Sequence, residues 1–110
     1  MTQGLPDYTK IAGYIGLAVR AGQAVTGEGA CVAAIRSGKS AVALLDGAAS
    51  QNASKRFTDT CVYHGVPLIT LPAGILEKAS GKPGRMAVAI PPGGIAQRLL
   101  EYAGEEHQNH

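Results

Sequence analysis

The sequence predicts an α/β domain with helices on both faces of a small sheet. Three observations carry this prediction. First, 15 glycines and 6 prolines punctuate the 110 residues and cut the chain into short pieces. Second, those pieces alternate between helical spacing of apolar residues and unbroken apolar runs of strand length. Third, 45% of the residues are hydrophobic, enough for an ordered core. No run approaches the roughly 20 apolar residues of a membrane-spanning helix.

Each element has its own reason. Tyr8, Ile11, Ala12, Ile15, Ala18 and Val19 share one helical face, with Asp7 as N-cap and Gly22 beyond the end. Residues 23–26 are a short extended piece. A second helix starts at Gly27 or Glu28, runs to Ser37 and stops at Gly38. Residues 41–45 (AVALL) are apolar throughout, as a strand buried on both faces must be. Ser50 or Asn52 caps a third helix on which Phe57, Cys61 and His64 share a face, and Gly65 ends it. Residues 66–71 form a strand that tolerates Pro67 at its start. A short helix lies between residues 73 and 80 and ends at Gly81. Residues 86–90 (MAVAI) are a second buried strand closed by Pro91 and Pro92. The last helix carries Ile95, Leu99 and Tyr102 on one side. Residues 104–110 form a polar, frayed tail, and residues 1–110 make one domain.

Charge narrows the class of partner. All ten Lys and Arg, but only five of the eight Asp and Glu, lie in residues 1–100, which leaves that stretch at +5. A small domain with this excess suits a polyanion. Residues 1–10 have no secretory core, so a cytoplasmic location is expected. Cys31 and Cys61 lack metal-ligand spacing and read as small core residues. His107 and His110 sit in the tail and suggest no metal site.

Motifs for nucleotides and catalysis fail on context. Residues 33–40 (AAIRSGKS) match a loose phosphate-loop pattern by letter, but a helix precedes the loop and a strand follows it. A phosphate there would meet the negative end of a helix dipole, so Lys39 is a solvent-facing loop residue and no nucleotide cofactor is expected. Gly27-Glu28-Gly29 opens like a dinucleotide fingerprint, but the third glycine position is Val32. His64 reads as a histidine at the edge of the core. Asp46, just after a buried strand, reads as a turn or cap residue. Nothing suggests an enzyme. Trp is absent and Phe and Tyr total five, so there is no stacking platform for single-stranded RNA.

Residues 16–28 (GLAVRAGQAVTGE) resemble the opening of the L-seven-Ae / L-thirty-e ribosomal protein family, including its small bacterial YlxQ-like members. Residues 34–39 before an apolar strand fit the same pattern. So do residues 49–52, Cys61, residues 65–69 and residues 79–83, and the match spans roughly residues 8–91. The resemblance implies a three-layer α/β/α sandwich around a small mixed four-stranded sheet. It also implies a non-catalytic, ribosome-associated protein that binds structured RNA, kink-turns in particular. Its partners would be that RNA and ribosomal or other proteins.

The family's contact surface joins three segments, which map here to residues 27–33, 46–50 and 81–86. The RNA-binding residues implied are Gly27, Glu28, Gly29, Ala30, Ala33, Lys78, Lys82, Arg85 and Met86. The helix start offers free N–H groups and a positive dipole end, and Lys82 and Arg85 reach phosphates. Kink-turn binders of the family usually carry Asn, Lys or Glu at the position of Gly29, Glu or Gln at Ala30, and Lys at Ala33. Gly29 also removes the capping-box partner of Thr26. The stripped helix start leaves a second reading, a protein-interaction module on the same fold. Its flat contact would comprise Gly29, Ala30, Ala33, Gly47, Ala48 and Ala49.

Overall fold

The computed structural model describes residues 7–104. In chain order the elements are α1 (Tyr8–Arg20), β1 (Val25–Thr26), α2 (Glu28–Arg36), β2 (Val42–Asp46), α3 (Gln51–His64), β3 (Leu68–Leu71), α4 (Ile75–Ser80), β4 (Ala87–Ile90) and α5 (Gly94–Tyr102). The sheet order is β1-β4-β2-β3. β2 pairs parallel with β3 and antiparallel with β4, and β1 adds antiparallel at the edge, so the sheet is mixed.

Side chains alternate across the sheet as the strand period requires. Val42 and Leu44 of β2, Ile69 and Leu71 of β3, and Val88 and Ile90 of β4 face α1, α4 and α5, where they meet Ile11, Ile15, Leu76 and Leu99. Ala43, Leu45, Leu68, Ala87 and Ala89 face the other way, against Cys31, Ile35, Phe57 and Cys61 of α2 and α3. Two apolar layers with helices outside both make the predicted α/β/α sandwich. The two layers differ in bulk. The side chains facing α1, α4 and α5 are branched and large, whereas three of the five facing α2 and α3 are alanine.

The helix ends follow local chemistry. Lys10 N–H donates to the Asp7 carboxylate at 3.1 Å, capping α1, and Ala53 N–H donates to Ser50 Oγ at 3.1 Å, capping α3. Gly65 closes α3 in the left-handed region at φ 70°.

Several sequence expectations need correction. α2 begins at Glu28, one of the two starts expected, but Thr26 is no cap for it: Thr26 belongs to β1 and Gly27, with no side chain to offer, is the N-cap. His64 is exposed rather than at the core edge. The left-handed Gly65 turns the chain there, and Val66, whose N–H donates to the Cys61 carbonyl at 2.8 Å, fills the core position instead. β2 extends to Asp46, and β4 starts after Met86. The expected tail beyond Gly104, with His107 and His110, lies outside the described residues.

Candidate functional site

Three separate stretches of chain meet at one end of the sheet. Gly27 N–H donates to the Ala87 carbonyl at 2.9 Å, which fastens the start of α2 to the start of β4. Asp46 N–H donates to the Met86 carbonyl at 2.8 Å, which fastens the end of β2 to the same strand. Between them lies a shallow hollow of about 200 Å³ lined by Glu28, Leu45, Ala48, Ser50, Met86 and Ala87, among others.

The turn after β2 is held by a single buried carboxylate. Asp46 is 3% exposed; its Oδ1 accepts from Ala48 N–H at 2.7 Å and its Oδ2 from Gly74 N–H at 3.2 Å. The first bond is an Asx turn and the second ties the turn to the start of α4. Asp46 is therefore the turn residue expected of it. Gly47 follows because nothing larger fits: a Cβ there would sit 2.8 Å from the Leu71 carbonyl oxygen.

The start of α2 presents backbone to the face. Its N-cap Gly27 has φ 96°, a conformation that side chains resist, and makes no side-chain cap bond. The first N–H groups of the helix thus keep their positive end open. Arg85 reaches this point: a Cβ on Gly27 would lie 3.2 Å from its guanidinium Nη1. The loop that delivers Arg85 is braced from α4. Gly84 N–H donates to Glu77 Oε2 at 3.1 Å, and Lys82 N–H donates to Ser80 Oγ at 3.2 Å.

The sequence-predicted residues fall into groups. Arg85 lies beside Gly27, Glu28 and Met86 line the hollow, and Met86 is 40% exposed. Gly29, Ala30 and Ala33 are exposed along α2, and Lys82 is exposed on the loop. Lys78 stands apart, lining a separate hollow between α4 and α1 with Tyr8, Thr9 and Ala12. Sequence reasoning missed Arg56 on α3, whose Nη2 lies 3.3 Å from the Glu28 carboxylate. That ion pair neutralises the one acidic side chain at the rim, and a separation of 28 residues gives no local signal of it. Lys39 is exposed in the loop between α2 and β2, and Ser40 donates to the Val42 carbonyl at 3.1 Å, so the phosphate-loop letters form no cradle.

Fold and site together define a small α/β/α protein whose candidate site is an open face at the ends of the strands. No family model matches the chain. "RNA-binding protein YlxQ" of Bacillus subtilis (strain 168) is 36% identical over 87 residues, covering 78% of this chain and 87% of that protein. Its namesake from Enterococcus faecium is 34% identical over 93 residues, covering 84% and 89%. A solved structure, described as a protein with unknown function from Bacillus halodurans C, superposes with a TM-score of 0.80 at 27% identity. It matches 86% of this chain and 96% of that one. The chain belongs to the YlxQ family.

Proposed function

We propose that this protein is a non-catalytic binder of structured RNA, of kink-turn type, acting in a ribosome-associated setting. The observation that carries the reading is the convergence at Gly27. An uncapped helix start, a guanidinium and a shallow hollow meet there on one exposed face. Open helix N–H groups and Arg85 suit phosphate oxygens, and the hollow beside Met86 suits an unstacked base. The family relatives named RNA-binding proteins support the same reading. So does the resemblance of residues 8–91 to the L-seven-Ae / L-thirty-e ribosomal proteins.

In this reading Gly27 to Ala33 dock along the RNA, Lys82 and Arg85 hold its backbone, and Met86 packs on a base. Lys78 supplies charge from the neighbouring face. The test is a mobility-shift titration against a kink-turn RNA and an unstructured RNA of equal length at fixed salt. Binding should favour the kink-turn, and reversing charge with Lys82→Glu and Arg85→Glu should weaken it. Each lost phosphate contact lowers the salt slope by just under one unit. Equal affinity for both RNAs would overturn the kink-turn assignment. Absence of binding to either would leave the protein-interaction reading in its place.

A further inference from the structure

Beyond the face at Gly27 lies a second cluster of positive charge. The geometry points to a phosphate-backbone track over α1 and α4, formed by Arg20, Lys78 and Lys10, that carries an RNA stem flanking the bound internal loop. The inference rests on the RNA-binding reading and adds to it a surface on a different pair of helices.

The first reason is how the cations are distributed. Lys55, Arg56 and Arg98 are paired with Asp59, Glu28 and Glu101. No carboxylate among the described residues pairs with Arg20, Lys78 or Lys10. Glu77, the acidic side chain of α4, is turned to the Gly84 N–H instead. The three cations are thus free of direct ion pairs, although Asp7, which accepts from the Lys10 N–H, and Glu77 stand on the same two helices.

The second reason is placement. Gly16 on α1 has no side chain, and a Cβ there would lie 3.2 Å from Arg20 Nη1 and 3.3 Å from the Ala79 carbonyl oxygen. The Arg20 head thus lies folded along α1, facing the last turn of α4. The end of α4 has bonds of its own. Gly81 N–H donates to the Glu77 carbonyl at 3.0 Å, and Ser80 Oγ accepts from Lys82 N–H.

The third reason is continuity. Thr9 lines both the hollow that holds Lys78 and the hollow that holds Lys10 and Arg20. The three cations therefore edge two hollows that meet at Thr9, and α4, which bears Lys78, leads at Gly81 into the chain that carries Lys82 and Arg85. Neighbouring exposed cations without ion pairs suit the phosphates of one RNA strand.

The test measures how affinity falls with salt for two probes: a kink-turn RNA with long flanking stems, and the same RNA with its stems trimmed to a few pairs. On the long-stemmed RNA, Arg20→Gln and Lys78→Gln should each reduce the slope by about 0.9. The ratio of affinities at 50 and 200 mM salt then falls about threefold per lost contact. On the trimmed RNA Arg20→Gln should bind like the unaltered protein. Arg20→Lys should keep the slope, which separates lost charge from lost fold. Arg36→Gln, an unpaired cation on the opposite helix layer, should leave it unchanged.

The track is overturned if Arg20→Gln and Lys78→Gln keep the full slope on long stems while Lys82→Gln and Arg85→Gln reduce it. That outcome leaves RNA binding intact and assigns the cluster to a different partner, such as an acidic protein. It is equally overturned if Arg36→Gln lowers the slope as much, since diffuse net charge then explains everything. If the unaltered protein binds neither RNA, the RNA-binding reading falls and the track falls with it.

Discussion

Arg56 of α3 reaches across to Glu28 at the first turn of α2, and the two charges stand 3.3 Å apart at the rim of the candidate site. Both side chains are substantially exposed, so the pair adds under about 1 kcal/mol to stability. Its effect is on the field at the face. Paired, Glu28 presents little net negative charge to an approaching phosphate; unpaired, it repels one.

Removing Arg56 and removing the Glu28 charge should therefore act in opposite directions. Arg56→Ala should weaken RNA binding and Glu28→Gln should strengthen it, most clearly at low salt. Titrations at two ionic strengths check this. Equal weakening by both variants would mean the pair matters through geometry alone.

Asp46 should matter for stability more than any exposed charge. Its buried carboxylate accepts two backbone N–H bonds, from Ala48 and Gly74. Asp46→Ala leaves both donors without that acceptor and should cost about 2–4 kcal/mol. Denaturant unfolding measures the loss. A cost within 0.5 kcal/mol, the range of about 0.5 usual for surface changes, would show that water replaces the carboxylate freely.

The bare start of α2 makes a graded prediction. Gly29→Lys, Ala30→Glu and Ala33→Lys, introduced together, should raise affinity for a kink-turn RNA. If two of the new side chains gain base contacts at about 1–3 kcal/mol each, by analogy with readout in DNA, the gain is on the order of 100-fold or more. Nanomolar binding by the unaltered protein would show that these positions do not limit affinity.

The cysteines predict an alkaline limit. Burial, with Cys61 nearby, pushes the Cys31 thiol up to about 12, and burial pushes Cys61 up to about 11. Both thiols stay protonated in the folded protein while the unfolded chain ionises near its ordinary value of 9.0. A thiol whose folded value is raised contributes stability below pH 9 and loses it as pH climbs towards 11 and 12. Melting temperature should therefore be flat from pH 7 to 8.5 and fall above pH 9, and the fall should shrink in Cys31→Ala. A thiol reagent at pH 8 should label the folded protein only as fast as it opens.

Much of this fold is written in short patterns. The runs 41–45 and 86–90 are apolar on every position, which marks them as central strands, and both lie within one residue of β2 and β4. Asp7 and Ser50 are legible as caps because the chemistry of a cap is local. What could not be read depends on distant partners. Asp46 joins β2 because Leu71 and Met86 offer it backbone pairing. His64 loses the core to Val66 because Gly65 reverses the chain. Glu28 gains Arg56 only once α2 and α3 pack side by side. The three segments of the candidate site are legible through family resemblance. The closure of Arg85 on Gly27 needs the folded loop.

The unequal bulk of the two apolar layers has a mechanical consequence. With alanine at 87 and 89, α2 packs close over β4, like a lid seated on a thin gasket. Ala87 and Ala89 belong to the strand whose first carbonyl holds Gly27, so the height of α2 above the sheet is set by methyl groups. Thickening that gasket, as with valine or leucine at 89, would tilt the helix and carry Gly27 away from Arg85. The volume of two hidden methyls thus sets the alignment of an exposed face, and drift in this half of the interior should be far less tolerated than drift on the side of α1 and α5.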